Sequence, residues 1–279
     1  MTKTLEHLRS KQLLIDIDET VGDLKPPLKW AGGKRWLIPY LLPIWKQYQS
    51  CRLVEPFCGG LAVTLSLRPQ NALLNDINPH LMNFYTWLKK GLSTSINMEN
   101  DEDIYYLKRE RFNNLIRKNK FDRDEAALLF YYLNRTGYNG LCRFNNSGEF
   151  NVPFGRHKTI NYTKDFYKYQ NAFTNWIFTC NDFEEISIKA NDFIYADPPY
   201  DVKFTKYSKE NFSWCDQERL AKWLSKFKCP IVISNQATSR IIKLYKEYDF
   251  ELFFLDAPRF ISCNGDRTLA KEVVAIKNL

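Results

Sequence analysis

Five features between residues 52 and 76 constrain this chain more than any others. Arg52-Leu53-Val54-Glu55 is a short apolar run closed by an acid, and Pro56-Phe57-Cys58-Gly59-Gly60 reads as a turn. Leu61 to Leu67 then has helical character, Ala72 to Asn75 is a second apolar run, and Asp76 closes it. Strand, glycine turn, helix, strand and acid form a Rossmann-like half, in which an acid about 20 residues beyond the first strand meets ribose hydroxyls. The full Gly-x-Gly-x-x-Gly fingerprint is missing, which argues against a pyrophosphate-bearing dinucleotide. A nucleoside cofactor without phosphates, such as S-adenosylmethionine, needs the turn and the acid but no phosphate cradle. A second role for Asp76 stays open, because an acid before Ile77-Asn78-Pro79 can also cap the next helix.

The second constraint is Asp197-Pro198-Pro199-Tyr200. It follows Asp192 to Ala196, a short apolar and aromatic run that reads as a buried strand, so the tetrapeptide falls at a strand's carboxyl end. Open α/β sheets bind ligands there. Two prolines fix φ and remove their own N–H groups, leaving acceptors in a stiff frame. An acid and a backbone carbonyl can together take both hydrogens of an exocyclic base amine, which localises a lone pair otherwise delocalised into the ring. Tyr200 adds a ring for an extruded base to stack on. The plainer alternative is a proline-rich turn closing a strand.

Composition narrows the partner. The 279 residues carry a formal charge of +8. Much of that excess is local, with 13 Lys and Arg against 6 Asp and Glu between residues 104 and 170. Such a balance points to a polyanionic partner. The 7 cysteines are scattered without a Cys-x-x-Cys pair and there are 3 histidines, so neither a disulfide framework nor a metal site is indicated. No secretory or membrane-spanning apolar run is present, and a cytoplasmic protein is expected.

In chain order, residues 1–25 read as a peripheral helix and linker. Lys29-Trp30-Ala31-Gly32-Gly33-Lys34 then precedes a helical pattern from Trp36 to Trp45. Paired glycines before a helix let backbone N–H groups approach a ligand; alternatively, they make a turn with the lysines on a solvated rim. From Tyr85 the strand and helix alternation stops. Tyr105 to Ile116 reads as a helix with a basic face, and Ala126 to Leu133 as a buried helix. Asn134 to Asn145, the turn Asn146-Ser147-Gly148 and Glu149 to Arg156 read as a hairpin whose amides, guanidiniums and rings suit base-edge reading, although exposed hairpins of this composition are common. Helix Ser213 to Phe227, strand Ile231 to Asn235 and strands Glu251 to Leu255 and Glu272 to Ile276 follow. The last two are suited to an antiparallel edge.

Together these segments resemble the Dam-type (D12 class, alpha group) DNA adenine methyltransferases, from Lys29 to the C-terminus. The resemblance implies an α/β fold: a Rossmann-like class I methyltransferase sheet with an inserted, mainly helical target-recognition domain carrying a β-hairpin. The corresponding division is an N-terminal extension at 1–25, a catalytic domain at 26–84 and 182–279, and an insertion at 85–181. It also implies S-adenosylmethionine as donor and the N6 amine of a flipped adenine in double-stranded DNA as acceptor, with no metal. Trp30, Ala31, Gly32 and Lys34 match the donor-binding opening; Glu55, Pro56, Phe57 and Gly59 match the loop around the methionyl part; Asp76 matches the ribose-side acid. Asp197, Pro198, Pro199 and Tyr200 match the catalytic loop, with Asp197 also facing the donor. Lys29, Tyr138, Asn139, Leu141, Arg143 and Pro153 match positions that GATC-specific members use to intercalate and read bases, so GATC is the implied target. Ser262-Cys263-Asn264-Gly265 resembles a further family loop. The segment Asp201 to Tyr207 is shorter than in the GATC-specific members.

Two rival readings stand beside this one: transfer to the N4 amine of cytosine, and a non-catalytic DNA-binding protein derived from the same fold. A cognate restriction endonuclease is a candidate partner, and a monomer is expected.

Overall fold

The computed structural model describes residues 24–93, 96–201, 212–257 and 270–279. Most of the expected N-terminal extension, the loop from Phe260 to Arg267 with Ser262-Cys263-Asn264-Gly265, and the segment from Val202 to Tyr207 lie outside the described residues.

Seven strands form one sheet: β1 (Arg52–Glu55), β2 (Ala72–Asn75), β3 (Trp176–Thr179), β4 (Asp192–Ala196), β5 (Ile231–Gln236), β6 (Glu251–Ala257) and β7 (Ala270–Lys277). Their order is β3-β2-β1-β4-β5-β7-β6. The first five pair in parallel, whereas β7 lies antiparallel to β5 and to β6. This is the Rossmann-like methyltransferase sheet expected from the sequence, with the C-terminal hairpin as its antiparallel edge.

The strands alternate between two cores, as a period of two requires. Leu53, Leu74, Phe193, Tyr195, Val232 and Val274 point to one face, and Val54, Leu73, Ile194, Ala196, Ile233 and Val273 to the other. The first face is covered by α1 (Ile38–Trp45), α2 (Ala62–Leu67), α3 (Pro79–Lys90), α4 (Glu102–Arg117) and α5 (Asp124–Thr136). A shorter α6 (Tyr167–Ala172) joins them through Tyr169. The second face packs α7 (Trp214–Ser225) and α8 (Ser239–Glu247). Parallel strands covered on both sides read as apolar runs, which is why β1, β2, β4 and β5 were recognisable from sequence.

Three expectations need correction. The strand β3 and helix α8 were not anticipated: Trp176-Ile177-Phe178-Thr179 is a half-exposed edge strand, and α8 is only nine residues long. Since β3 pairs with β2, a core strand lies inside the 85–181 insertion, and α3 runs across the boundary at 84. The helices α4 and α5 belong to the same core as the first sheet face, so the helical segment is built onto the sheet and shares its packing. The hairpin is also less regular than expected. Asn134 to Thr136 end α5, Tyr138–Gly140 is a 3₁₀ turn, and the arms meet at two isolated bridges, Gly137↔Phe154 and Phe144↔Phe150.

One side chain joins this recognition segment to the first motif. Asn134 is buried at the end of α5; its Oδ1 accepts from the Lys29 N–H at 2.8 Å, and its Nδ2 donates to the Lys29 and Gly140 carbonyls at 2.8 and 3.2 Å. Asn134→Ala strands backbone groups away from water, at about 1–3 kcal/mol for each unsatisfied group. Urea unfolding is expected to show a loss of roughly 2–4 kcal/mol; a midpoint equal to wild type would contradict the joint.

Candidate active site and nucleic-acid interface

The candidate donor-side and catalytic residues gather at the carboxyl ends of β1, β2 and β4. Glu55 ends β1, Asp76 follows β2, and Asp197 follows β4. Parallel pairing of β2 with β1 and of β1 with β4 is what brings these distant acids to one edge.

The turn after β1 is tightly built. Gly59 has φ +43°, its N–H donates to Asp76 Oδ2 at 3.1 Å, and its carbonyl accepts from Tyr85 Oη at 2.7 Å. The Trp30 indole lies against Gly59 and Gly60 so closely that a Cβ on Gly59 would come 2.8 Å from Trp30 Nε1. Trp30 therefore docks the first motif onto the turn. Ala31 and Gly32 are exposed, with Gly32 at φ +79°, as a turn requires. Asp76 Oδ1 accepts from the Asn78 N–H at 3.0 Å, while the helix cap itself is Asn78, whose side chain accepts from His80 and Leu81. The alternative role of Asp76 as cap thus falls to its neighbour. Pro56 is buried, and the half-buried Phe57 ring packs edge-on to Phe212 and tilted against Phe183.

Lys34 is the centre of the catalytic edge and does not belong to a solvated rim. It is 4% exposed; its Nζ lies 3.1 Å from Asp197 Oδ1 and 3.8 Å from Glu272 Oε2, and it also donates to Tyr200 Oη. Asp197 Oδ1 further accepts from Ser234 Oγ at 2.9 Å, and Ser234 is paired with Tyr195 Oη. Both contacts converge on Oδ1, so Asp197 Oδ2 has no hydrogen-bond partner among the described residues. The Pro199 carbonyl accepts from the buried Gln217 Nε2 at 2.8 Å, whereas the Pro198 carbonyl accepts no hydrogen bond among the described residues. Tyr200 donates to Glu272 Oε1 at 2.5 Å and its ring centroid lies 4.3 Å from Lys34 Nζ, so the ring is held rather than loose.

Burial raises the carboxyl pKa values here. Asp197 is pushed above the usual carboxylate range by desolvation, opposed by the Lys34 charge; Glu272 is raised for the same reason with the same opposition. Desolvation, with smaller contributions from the Asp197 and Glu272 charges, drives Tyr200 far upward, so its hydroxyl stays protonated. Glu55, fully enclosed with Thr64 donating to it, is raised to about 8 by desolvation, the Thr64 bond pulling the other way. Near neutral pH Glu55 is therefore largely protonated, which leaves Asp197 and Glu272 beside the one buried ammonium among the described residues, that of Lys34. The charge set suits a cationic ligand and not a phosphate, because an anion here would face carboxyls at close range.

The residues expected to meet nucleic acid form a separate surface. Tyr138 and Leu141 are large apolar side chains left 50% and 37% exposed at the turn, and Asn139 between them has φ +51°. Arg143 is exposed and held by Asn151, Nε to Oδ1 at 2.8 Å and Nη2 to the carbonyl at 3.2 Å; Pro153 is exposed on the returning arm. Lys29 adjoins them: its Nζ donates to the Arg135 carbonyl at 3.1 Å and lies 3.3 Å from His157 Nε2. Burial and the neighbouring Arg135 charge lower the Lys29 pKa.

The family comparison now decides the class. The family model for D12 class N6 adenine-specific DNA methyltransferases matches residues 30–256. This chain belongs to that family. It is 35% identical over 265 residues to the retron Ec67 DNA adenine methylase of Escherichia coli, covering 89% of this chain and 90% of that one. Identity is also 35% to the DNA adenine methylase of Haemophilus influenzae (90% and 93% covered) and 34% to the type II methyltransferase M.MjaIII of Methanocaldococcus jannaschii (88% and 95%). The adenine-specific DNA methyltransferase is an enzyme, and both rival readings fall: the cytosine acceptor and the non-catalytic binder. Membership of this family implies a methyl donor.

Sequence reading missed Glu272, Ser234 and Gln217. A signal existed for two of them: Ser234-Asn235 ends the apolar run of β5, and Glu272 is an acid opening the buried run Val273 to Ile276. Gln217, on a helix face, carried none.

Glu55 yields a pH prediction. Its folded pKa lies above its unfolded value, so the folded enzyme binds the extra proton and Glu55 makes stability fall as pH rises from about 4.5 to about 8. Glu55→Gln removes that slope, at most about 1.4 kcal/mol per pH unit. Urea midpoints of the ligand-free enzyme at pH 5, 6.5 and 8 are expected to converge for the variant relative to wild type; parallel profiles would refute the assignment.

Proposed function

We propose that this methyltransferase transfers a methyl group from S-adenosylmethionine to the N6 amine of an adenine extruded from duplex DNA, within GATC. The observation that carries the proposal is the state of the acceptors beside Asp197. Lys34 and Ser234 occupy Oδ1 and Gln217 occupies the Pro199 carbonyl, leaving Asp197 Oδ2 and the Pro198 carbonyl without partners among the described residues. Two free acceptors match the two hydrogens of a base amine.

When bound, S-adenosylmethionine supplies an electrophilic methyl on positively charged sulfur. The residues that would hold it are Trp30, Ala31, Gly32 and Lys34 on the first motif, Glu55, Pro56, Phe57 and Gly59 on the turn, and Asp76 toward the ribose. Support comes from the excess of carboxyls over ammonium at this edge and from the absence of a phosphate-binding glycine fingerprint. Asp197 and Pro198 orient the amine, favouring a pyramidal nitrogen with its lone pair aimed at the donor. Asp197 need not take a proton before attack. Tyr200 stacks on the extruded ring, offsetting part of the few kcal/mol of flipping.

On the recognition side, Lys29, Asn139 and Arg143 read base edges, while Tyr138, Leu141 and Pro153 wedge against or contact bases. The exposure of Tyr138 and Leu141 supports this, because large apolar side chains left open at a turn tip are suited to wedge against bases. The basic insertion tracks phosphates. We further read the enzyme as a cytoplasmic monomer; no helix among the described residues is long and apolar enough to cross a membrane. A restriction endonuclease as cognate partner has the type II methyltransferase relative as its support.

The test is methyl incorporation from labelled S-adenosylmethionine into duplexes containing GATC or its single-base variants. Incorporation confined to GATC is expected, and equal incorporation into the variants would overturn the target. Asp197→Ala is expected to lower single-turnover transfer by about 1000-fold or more while duplex affinity in a gel-shift assay stays near wild type; retained turnover sinks its role. Arg143→Ala is expected to lose about 1–3 kcal/mol of discrimination at one guanine, read as relative transfer rates on GATC and its variant at that position.

A further inference from the structure

One buried acid at the catalytic edge is unexplained by the proposed chemistry. Glu272 lies near the start of β7, opposite Gln236 of β5, and is 5% exposed. Its Oε1 accepts from the Tyr200 hydroxyl at 2.5 Å, and Lys34 donates to the same phenol oxygen. The Tyr200 oxygen thus has a donor entering and an acceptor leaving, which fixes where the hydroxyl end of the ring lies. Oε2 is 3.8 Å from Lys34 Nζ and makes no hydrogen bond among the described residues.

Such a group is costly where it stands. The residues that follow it in β7, Val273 to Ile276, are apolar and buried, and a buried carboxyl with an unmatched oxygen destabilises a fold more than an apolar side chain would. Packing alone gives no reason for an acid at this position. Its partners do, because both Tyr200 and Lys34 belong to the set that surrounds Asp197.

We propose that Glu272 is a positioning residue for methyl transfer, holding the Tyr200 ring in the place where the extruded base stacks on it. It acts through the phenol and does not itself touch the reacting atoms. The phenol–carboxyl bond fixes the ring before the base arrives, so the ordering cost is met on folding rather than on binding. This rests on the reading above that Tyr200 receives the base.

A double-mutant cycle isolates the claim. Single-turnover methylation is measured for wild type, Tyr200→Phe, Glu272→Ala and the double variant, on a duplex bearing the target adenine. A parallel series carries 2-aminopurine at the target position, whose emission depends on what it is stacked against. Donor affinity by calorimetry checks that each variant keeps its cofactor side. Tyr200→Phe and Glu272→Ala are each expected to slow transfer by about 10- to 100-fold, within the range of couplings between contacting residues. The double variant is expected to be no slower than the slower single one. Glu272→Gln, whose amide oxygen still accepts from the phenol, is expected to recover most of the rate and the wild-type emission. Additive losses in the cycle, or a Glu272→Gln variant as slow as Glu272→Ala, would overturn the assignment. Where Glu272→Ala does not fold, Glu272→Leu makes the same comparison at similar volume. Wild-type enzyme that leaves 2-aminopurine emission unchanged refutes base extrusion itself; a wild-type change that every Glu272 variant reproduces refutes only the role of Glu272.

Discussion

The candidate catalytic edge is arranged around a buried cation. Lys34 is withdrawn from water, and removing an ammonium from water costs several kcal/mol unless carboxyls and hydrogen bonds replace its hydration. Asp197, Glu272, the Tyr200 oxygen and the Gly32 carbonyl supply that replacement from the loop after β4, β7 and the first motif. The requirement works in both directions. Without Lys34, two buried carboxyls would repel each other; without them, the ammonium could not be enclosed. A single charged side chain thereby holds together parts of the chain more than 200 residues apart in sequence.

That arrangement also distributes acceptors. By taking one oxygen of Asp197, Lys34 and Ser234 leave the other available, and Gln217 draws the Pro199 carbonyl away from the site while the Pro198 carbonyl stays unengaged. The stiffness of two prolines matters only because neighbouring side chains decide which acceptors remain. Preorganised polar groups of this kind reorganise little during reaction, which is why electrostatic alignment is a large contribution in enzymes.

The recognition segment is coupled to this edge through shared packing. The helices α4 and α5 bury Phe112, Phe130 and Tyr131 in the core that also covers β1 and β4, and His80 stacks on Phe144 of the hairpin at 4.7 Å between ring centroids. Burial among rings lowers the His80 pKa to about 4, so it is neutral at physiological pH and behaves as one more aromatic side chain. Asn134 completes the joint by bonding the backbone of Lys29, the residue just before the first motif. The proposed base-reading segment and the candidate active site are therefore mounted on one core.

The sequence by itself determined the central strands, because β1, β2, β4 and β5 are apolar runs ended by acids or polar residues, and their order announces a parallel sheet. It also marked Asp76 and Asp197 through motifs whose residue types follow from local chemistry, and Lys34 through the family resemblance. It did not reveal β3 or α8, an edge strand and a short helix whose patterns are too weak to stand out. Nor could it choose between the two roles open to Asp76, since only the folded backbone shows that Asn78 caps the helix. Glu272 carried only the mark of an acid opening a buried run, which says nothing of what it meets. Its meaning comes from the antiparallel pairing of β7 with β5, which carries an acid from the far end of the chain to the hydroxyl of Tyr200, and no local pattern encodes that meeting.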